Sequence, residues 1–555
     1  MRISKTFYIS GLVMASLVSC KSVHRIAVPA AVSNAIELPS KKVELTENQK
    51  HTWGHADIVN DTIPGMSVAK AYEFLKGKKS TEIIVSVNDS GIDLQHEDLV
   101  NVLWSNPKEI ADNGKDDDKN GYIDDVHGWN FLGEIYDENL ELTRIIKEKS
   151  KKFEGKTENQ ISEKDKAEYD EYMKLKEIFD KKLGEASELK NKYSFYYGIY
   201  ESAHKAMVAQ TGKEDYTLED VEAIVTTDEN LIKQKEMTAR MLKNGTSNVA
   251  QMQQVQKGLD HFTSQVDTNL NLDFNAREVL NDDENDFTTK VYGNGNPMNR
   301  QADEIHGTHV AGIILAENGN GKGVDGVATN VKLMSVRCVP NGDEYDKDVA
   351  LGLIYAVDNG AKVINTSFGK GYSPNSKWVH DAIKYAEKHD VLIVNAAGND
   401  AVNIDVEATF PNDDAPDMIH EIADNMLTVG AMGSSYDKHM LATFSNYGKK
   451  NVDVFAPGVK IYATVPNGKY QYLSGTSMAS PSTAGVAAMI RSYYPKLSAK
   501  QVKYILMNSG VEINFKLIKP GTKDEMVSLS DLCVSGRIVN AYNAVKMADE
   551  MVSKK

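Results

Sequence analysis

The segment Gly475-Thr476-Ser477-Met478-Ala479-Ser480-Pro481 sets a serine where a glycine-bearing turn meets an apolar helix, Gly485 to Ile490. Gly475 has no Cβ, so a substrate backbone can approach closely. Pro481 is expected in the first turn of the helix that follows. The helix N-terminus favours negative charge developing beside the serine. Taken alone, such a turn is an ordinary helix entry. Two further segments give it chemistry: His306-Gly307-Thr308-His309-Val310-Ala311-Gly312 opens another apolar helix, and Asp89-Ser90-Gly91 ends the strand-like run Ile83 to Val87. A hydroxyl, an imidazole and a carboxylate are the parts of a nucleophile activated by an oriented general base.

In chain order the three read Asp, His, Ser, the subtilisin order rather than either of the other two common triad orders. With the wording of all three motifs, the chain resembles the subtilisin-like serine proteases, the subtilases. The resemblance implies that Ser477 attacks a peptide carbonyl and that His306 shuttles its proton. Asp89 would hold the imidazole tautomer and stabilise the imidazolium. His309 is read as structural, and Asn88 cannot replace Asp89 because an amide does not balance the imidazolium charge. Ala396-Ala397-Gly398-Asn399 follows the run Val391 to Asn395. An asparagine there is ordinarily a turn residue. The resemblance instead implies that Asn399 supplies an oxyanion-hole amide beside the Ser477 N–H, a donor worth about 3 to 4 kcal/mol.

Ser367-Phe368-Gly369, after the strand Lys362 to Thr366, is similar to the other wall of the substrate cleft, facing Ala396, Ala397 and Gly398. Such edges bind an extended peptide by adding it as a strand. The two small alanines suggest an open first pocket for bulky apolar side chains. The acidic loop Asp343-Glu344-Tyr345-Asp346-Lys347-Asp348 has two open readings, a surface favouring basic substrate residues or a solvated helix start.

The run from Asp116 to Asp125 is the clearest non-catalytic site. Oxygen-bearing residues at 116, 118 and 120, then Gly121 for the sharp turn, follow the opening of a calcium loop. The twelfth position is His127 rather than Glu, so this is not an EF-hand, and Asp124 or Asp125 must complete the shell. The expected ligand set is Asp116, Asp118, Asn120, Tyr122 and Asp125, holding a structural calcium ion. A solvated acidic turn is the alternative.

Strand-like runs at 331–338, 362–367, 391–396, 426–431 and 452–456 must position these residues. They alternate with helix-like segments at 346–358, 376–388 and 482–493, which implies a parallel sheet covered on both faces. The expected fold is α/β: a subtilisin-like, doubly wound parallel sheet carrying an inserted α-helical hairpin or bundle. Asp89 and His306 are 217 positions apart, where the subtilisin order implies only about 30. The excess is charged and helical. Tyr169, Tyr172, Leu175, Phe179, Leu183, Ala186, Leu189, Tyr193, Tyr197 and Tyr200 form one apolar stripe at spacings of three and four. The expected organisation is a signal peptide (1–19), a lipidated tether (20–45), a catalytic domain (46–139 and 264–555) and a helical insertion (140–263). His51 to Asp57 reads as a structural lead-in, and little room precedes the strand at 82 for a propeptide domain.

Residues 1–19 carry Arg2 and Lys5 before an apolar stretch, Phe7 to Val18, too short for a stable membrane span. Leu17-Val18-Ser19-Cys20 is similar to a bacterial lipobox, which makes Cys20 the expected lipidation site. That would place the protein in the cell envelope, anchored at the outer membrane and facing the periplasm or the surface. With three cysteines there is no disulfide framework; Cys338, in a strand-like run, reads as a buried small hydrophobe, and whether it pairs with Cys533 stays open. A net charge of −16, from 63 basic and 79 acidic residues, argues against nucleic-acid partners. The expected function is a serine endopeptidase acting on proteins or peptides. An adhesin or scaffold binding through the helices is the alternative from another class. Oligomeric state is not legible.

Overall fold

The structure, a computed structural model, describes residues 44–300, 304–415 and 420–553. The expected signal peptide, Cys20 and all but the end of the tether lie outside the described residues. The described residues build thirteen strands: β1 (Ile83–Asp89), β2 (Gly128–Asn130), β3 (Val331–Arg337), β4 (Ala361–Thr366), β5 (Leu392–Ala396), β6 (Met426–Met432), β7 (Val454–Pro457), β8 (Ile461–Val465), β9 (Lys469–Leu473), β10 (Val511–Glu512), β11 (Leu517–Ile518), β12 (Met526–Val527) and β13 (Arg537–Ile538). Nine form one sheet in the order β10-β13-β7-β6-β5-β4-β1-β3-β2. Only β10 against β13 is antiparallel. β8 with β9, and β11 with β12, make separate hairpins.

Both faces of the sheet are covered, which is why its strands are continuous apolar runs. On β5, Leu392 and Val394 pack beneath the helices Val68–Leu75, His306–Leu315, Thr476–Tyr493 and Ala541–Ser553. Ile393 points the other way, into the layer formed by the helices Asp346–Asp358 and Ser376–Lys388. The carboxyl ends of β1, β4 and β5, which are neighbours, deliver Asp89, Ser367 and Asn399 to one rim. Ligands bind at that rim in open α/β sheets.

Between β2 and the helix His306–Leu315 the described chain makes the helices Glu141–Phe153, Lys166–Thr211, Glu229–Lys243 and Asn248–Ser264, with the shorter α-helix Leu218–Glu222. The long helix has 46 residues. Its inner half buries Tyr169, Tyr172, Leu175, Phe179 and Ala186 against Leu142, Ile146 and Phe153. Its outer half is covered more thinly: Tyr193, Tyr197 and Tyr200 are half-buried, and Phe195 is exposed. A second small cluster, around Met207, Tyr216, Val221 and Ile224, closes the far end. The expected stripe is thus shared among several helices, and its buried part is its base. Among the described residues no helix is long and apolar enough to cross a membrane.

The helix carrying the serine starts earlier than the sequence suggests. It spans Thr476–Tyr493, so Ser477 is inside its first turn and Pro481 lies beyond that turn. Cys338 and Cys533 are buried free thiols in different apolar clusters.

Candidate active site

Asp89 ends β1 with its carboxylate 1% exposed. Oδ1 accepts from the Ser90 N–H at 2.8 Å and from His306 Nδ1 at 2.7 Å. His306 is the first residue of its helix, and Gly307 brings that helix in. A Cβ at Gly307 would lie 2.3 Å from the Gly91 carbonyl oxygen, so only glycine permits the approach. Because Nδ1 faces a carboxylate it carries the proton, which leaves Nε2 as the basic nitrogen. Burial works against the charged imidazole. The charge of Asp89 and its hydrogen bond outweigh it and hold the His306 pKa above the ordinary value. His309 is different. Its Nε2 meets the Gln471 carbonyl at 3.0 Å, and burial pushes its pKa down to about 4, so it stays neutral and structural.

Ser477 and Ser367 are joined twice. Ser477 Oγ donates to the Ser367 carbonyl at 3.1 Å, and Ser367 Oγ donates to the Ser477 carbonyl at 3.0 Å. The second bond follows from Pro481. A helical carbonyl is normally bonded by the N–H four residues on, and proline has none. Among the described contacts Ser477 Oγ is not bonded to His306. Catalytic hydrogen bonds commonly tighten only when substrate is present.

The Asn399 amide is oriented by a residue that the sequence reading passed over. Asn399 Oδ1 accepts from the Thr476 N–H at 2.8 Å and from Thr476 Oγ at 3.0 Å, while Thr476 Oγ accepts from the Gly398 N–H. With the oxygen so engaged, Nδ2 is the group left to donate. A Cβ on Gly475 would sit 3.5 Å from the Ser477 nitrogen and 3.7 Å from Asn399 Nδ2, so the missing side chain leaves open the space those donors share. Of the cleft walls, Phe368 packs on the layer beneath, and Gly369 runs close to the Phe410 carbonyl. Ala397 turns into an apolar cluster of the core, leaving Ala396 as the alanine with residual exposure.

In sequence comparison the Subtilase family model matches residues 80–529, a span that holds all three motifs. This chain belongs to the subtilase family. The thermophilic serine proteinase of Bacillus sp. (strain AK1) is 42% identical over 242 residues, covering 43% of this chain and 52% of the relative. The cell wall-associated protease of Bacillus subtilis (strain 168) is 35% identical over 231 residues, covering 41% and 24% respectively. Thermitase of Thermoactinomyces vulgaris is 36% identical over 266 residues, covering 47% and 83%. The chain therefore spans about half of the first relative's length and a quarter of the second's.

The structure brings Asp116 and Asp118 together with Glu109, which lies upstream of the predicted loop, with ligand oxygens all within 4.8 Å. Glu109 Oε2 is buried with no hydrogen-bond partner, while Oε1 accepts from the Asp117 and Asp118 N–H groups. The side chains of the other expected ligands make bonds of their own beside this cluster, where the Asn120 N–H donates to Asp116 and Asp118, both at 3.1 Å. Asp125 is fully buried, bonded by Tyr355 Oη at 2.7 Å, Asn106 at 3.0 Å and Asn120 at 3.1 Å, and burial pushes its pKa up to about 6. Asn120 is turned toward Asp125 and the Tyr122 N–H, and the Tyr122 ring packs on Trp129.

The loop from Asp343 to Asp348 is neither a substrate-facing surface nor a solvated helix start. Glu344, Asp346, Lys347 and Asp348 are all buried. Arg277 grips Asp348 with two bonds of 2.6 and 2.8 Å, and Lys347 reaches Asp282 at 2.6 Å. Lys370 bonds Glu141 at 2.7 Å and Asp346 at 2.9 Å, and Arg144 bonds Glu141 at 2.6 Å. Breaking one such buried pair typically costs about 3 to 5 kcal/mol. This network bolts the first turn of the helical segment to the sheet domain.

Proposed function

We propose that this subtilase is a serine endopeptidase that cuts peptide bonds in proteins through an acyl-enzyme. The observation that carries the reading is the 2.7 Å Asp89–His306 bond, which fixes the imidazole with Nε2 free beside the cleft. Neutral His306 takes the Ser477 proton as Oγ attacks the carbonyl carbon, and the resulting imidazolium is balanced by Asp89. The oxyanion is met by Asn399 Nδ2 and the Ser477 N–H. The protonated His306 then donates to the leaving amine. Water, activated by the same nitrogen, releases the acyl group. Nothing in the fold or the comparisons favours the adhesin alternative. The test is kinetic. Alanine at Ser477, His306 or Asp89 should each cost several orders of magnitude in turnover, and any pair little more than one. Additive losses would contradict a triad acting as a unit.

Three finer readings accompany it. A structural calcium ion fits the cluster of Glu109, Asp116 and Asp118, where the unpartnered Glu109 oxygen supports binding of a hard cation by carboxylate ligands. Cys20 is the lipidated residue of an envelope protein, a reading supported by the lipobox-like Leu17-Val18-Ser19-Cys20. Replacing Cys20 with serine should move the protein from the detergent phase to the aqueous phase, and unchanged partitioning would argue for another attachment. The helices from Glu141 to Ser264 select which proteins reach the cleft, a reading supported by the length and exposed outer half of the long helix.

A further inference from the structure

The structure ties those helices to the cleft itself through Glu141 and Lys370. Lys370 follows Ser367-Phe368-Gly369 directly, and its side chain is 2% exposed. Its ammonium has three N–H groups and three acceptors: Glu141 Oε2 at 2.7 Å, Asp346 Oδ1 at 2.9 Å and the Glu344 carbonyl at 2.7 Å. Its backbone is held as well. The Lys370 N–H donates to the Phe410 carbonyl and the Phe410 N–H donates back, both at 2.9 Å.

The other end of the same short segment is Ser367, which exchanges hydrogen bonds with Ser477. Four residues therefore connect the candidate nucleophile to an ion pair whose partner is outside the sheet domain. Glu141 is the first residue of the helix Glu141–Phe153. That helix carries the long helix on Leu142, Ile146 and Phe153. Its entry is locked by Arg144, which bonds Glu141, reaches the carbonyls of Asp343 and Glu344, and lies over the Tyr345 ring at 3.9 Å. Tyr372, two residues beyond Lys370, packs against the same apolar cluster as the long helix.

We propose that the Glu141–Lys370 pair makes the seating of the helical segment a determinant of substrate affinity, with Lys370 a positioning residue acting through Ser367–Gly369. This rests on the protease reading, because that edge is where an extended peptide would add as a strand. Loosening the pair should let Phe368 and Gly369 drift, while the two bonds between Ser367 and Ser477 keep Asp89, His306 and Ser477 in place. The loss then falls on binding more than on the chemical step.

The test uses the full chain and a peptide p-nitroanilide with four residues on the acyl side. In Glu141→Gln, KM should rise about tenfold while kcat changes less than about threefold. The double variant Glu141→Gln with Lys370→Met should be no worse than Lys370→Met alone, since the two act as one contact. Active sites titrated with a fluorophosphonate correct for any unfolded fraction. If Lys370→Met does not fold, Glu141→Gln still carries the test, because it leaves Asp346 and the Glu344 carbonyl on the lysine. Deuterium exchange over 367–373 should quicken in Glu141→Gln. Unchanged KM in folded Glu141→Gln, or a loss confined to kcat, would overturn the proposal. A wild-type protein that neither labels nor turns over would sink the protease reading instead, and unchanged exchange over 367–373 would then overturn this proposal separately.

Discussion

Ser367 and Ser477 each donate a hydroxyl to the other's backbone carbonyl, at 3.0 and 3.1 Å. Pro481 explains half of this exchange, since it withholds the N–H that would otherwise occupy the Ser477 carbonyl. Ser367 is 2% exposed, so Ser367→Ala should leave that carbonyl unsatisfied and cost about 1 to 3 kcal/mol of stability. Adding Pro481→Ala restores a helical N–H to the same oxygen and should recover most of the loss. Denaturant unfolding of the single and double variants checks this. A double variant as unstable as the sum of both singles would refute the compensation.

The pH profile follows from His306. Its pKa is raised by Asp89 against the effect of burial, so kcat/KM should fall as pH drops through a value above the ordinary 6.5. Asp89→Asn removes the attraction, and the acid limb should move to lower pH while kcat falls by about 10⁴. The stability sign is also set. A raised folded-state pKa means that the protonated imidazole contributes stability fully below the unfolded value, and the contribution is lost as pH rises through the folded value. Unfolding measured against pH in wild type and Asp89→Asn reads this difference. An acid limb that stays put in Asp89→Asn would mean that Asp89 does not set the titration.

Calcium should raise the melting temperature by binding only the folded state. At a hundredfold excess over Kd the gain is about 2.7 kcal/mol. Chelation should reverse it, and Asp116→Ala with Asp118→Ala should abolish it. Glu109→Gln should weaken it as well, because its buried Oε2 has no other partner. A full calcium response in the Asp116/Asp118 variant would place the ion elsewhere.

These results mark what was legible beforehand. Strands β3 to β7 fall close to their expected limits, because parallel strands buried on both faces must be continuous apolar runs. The helices Asp346–Asp358 and Ser376–Lys388 fall on their expected residues, since their apolar periodicity is uninterrupted. Asp89, His306, Ser477 and Asn399 were legible as candidates because each sits in a short motif, and the fold brings Asp89 against His306 and Asn399 against the residue before Ser477. Glu109 was not, since it lies outside the loop pattern and joins Asp116 only through folding. The burial of the charges from Asp343 to Asp348 is hidden for a similar reason. Charge in sequence reads as surface, and the partners that bury it, Lys370 for Asp346, Arg277 for Asp348 and Asp282 for Lys347, are all remote in sequence.

The helical segment can be shortened without touching its anchor. Tyr193 lies directly against Gly258, and its ring meets Phe262 at 5.4 Å, so the two helices come together there. Joining 193 to 258 through a short glycine linker should keep small-peptide turnover and alter cleavage of long or folded proteins. Removing 140–263 entirely takes Glu141 and Arg144 away and strands Lys370, so that variant should lose small-peptide affinity too. Equal kinetics for the two deletions on every substrate would contradict this division of roles.

The central claim is that Ser477 is the nucleophile. Fluorophosphonate labelling followed by peptide mapping tests it most directly. The account predicts a single adduct on the peptide containing Ser477, absent in Ser477→Ala and strongly slowed in His306→Ala. Labelling that persists in folded Ser477→Ala, or an adduct on another serine, would contradict it.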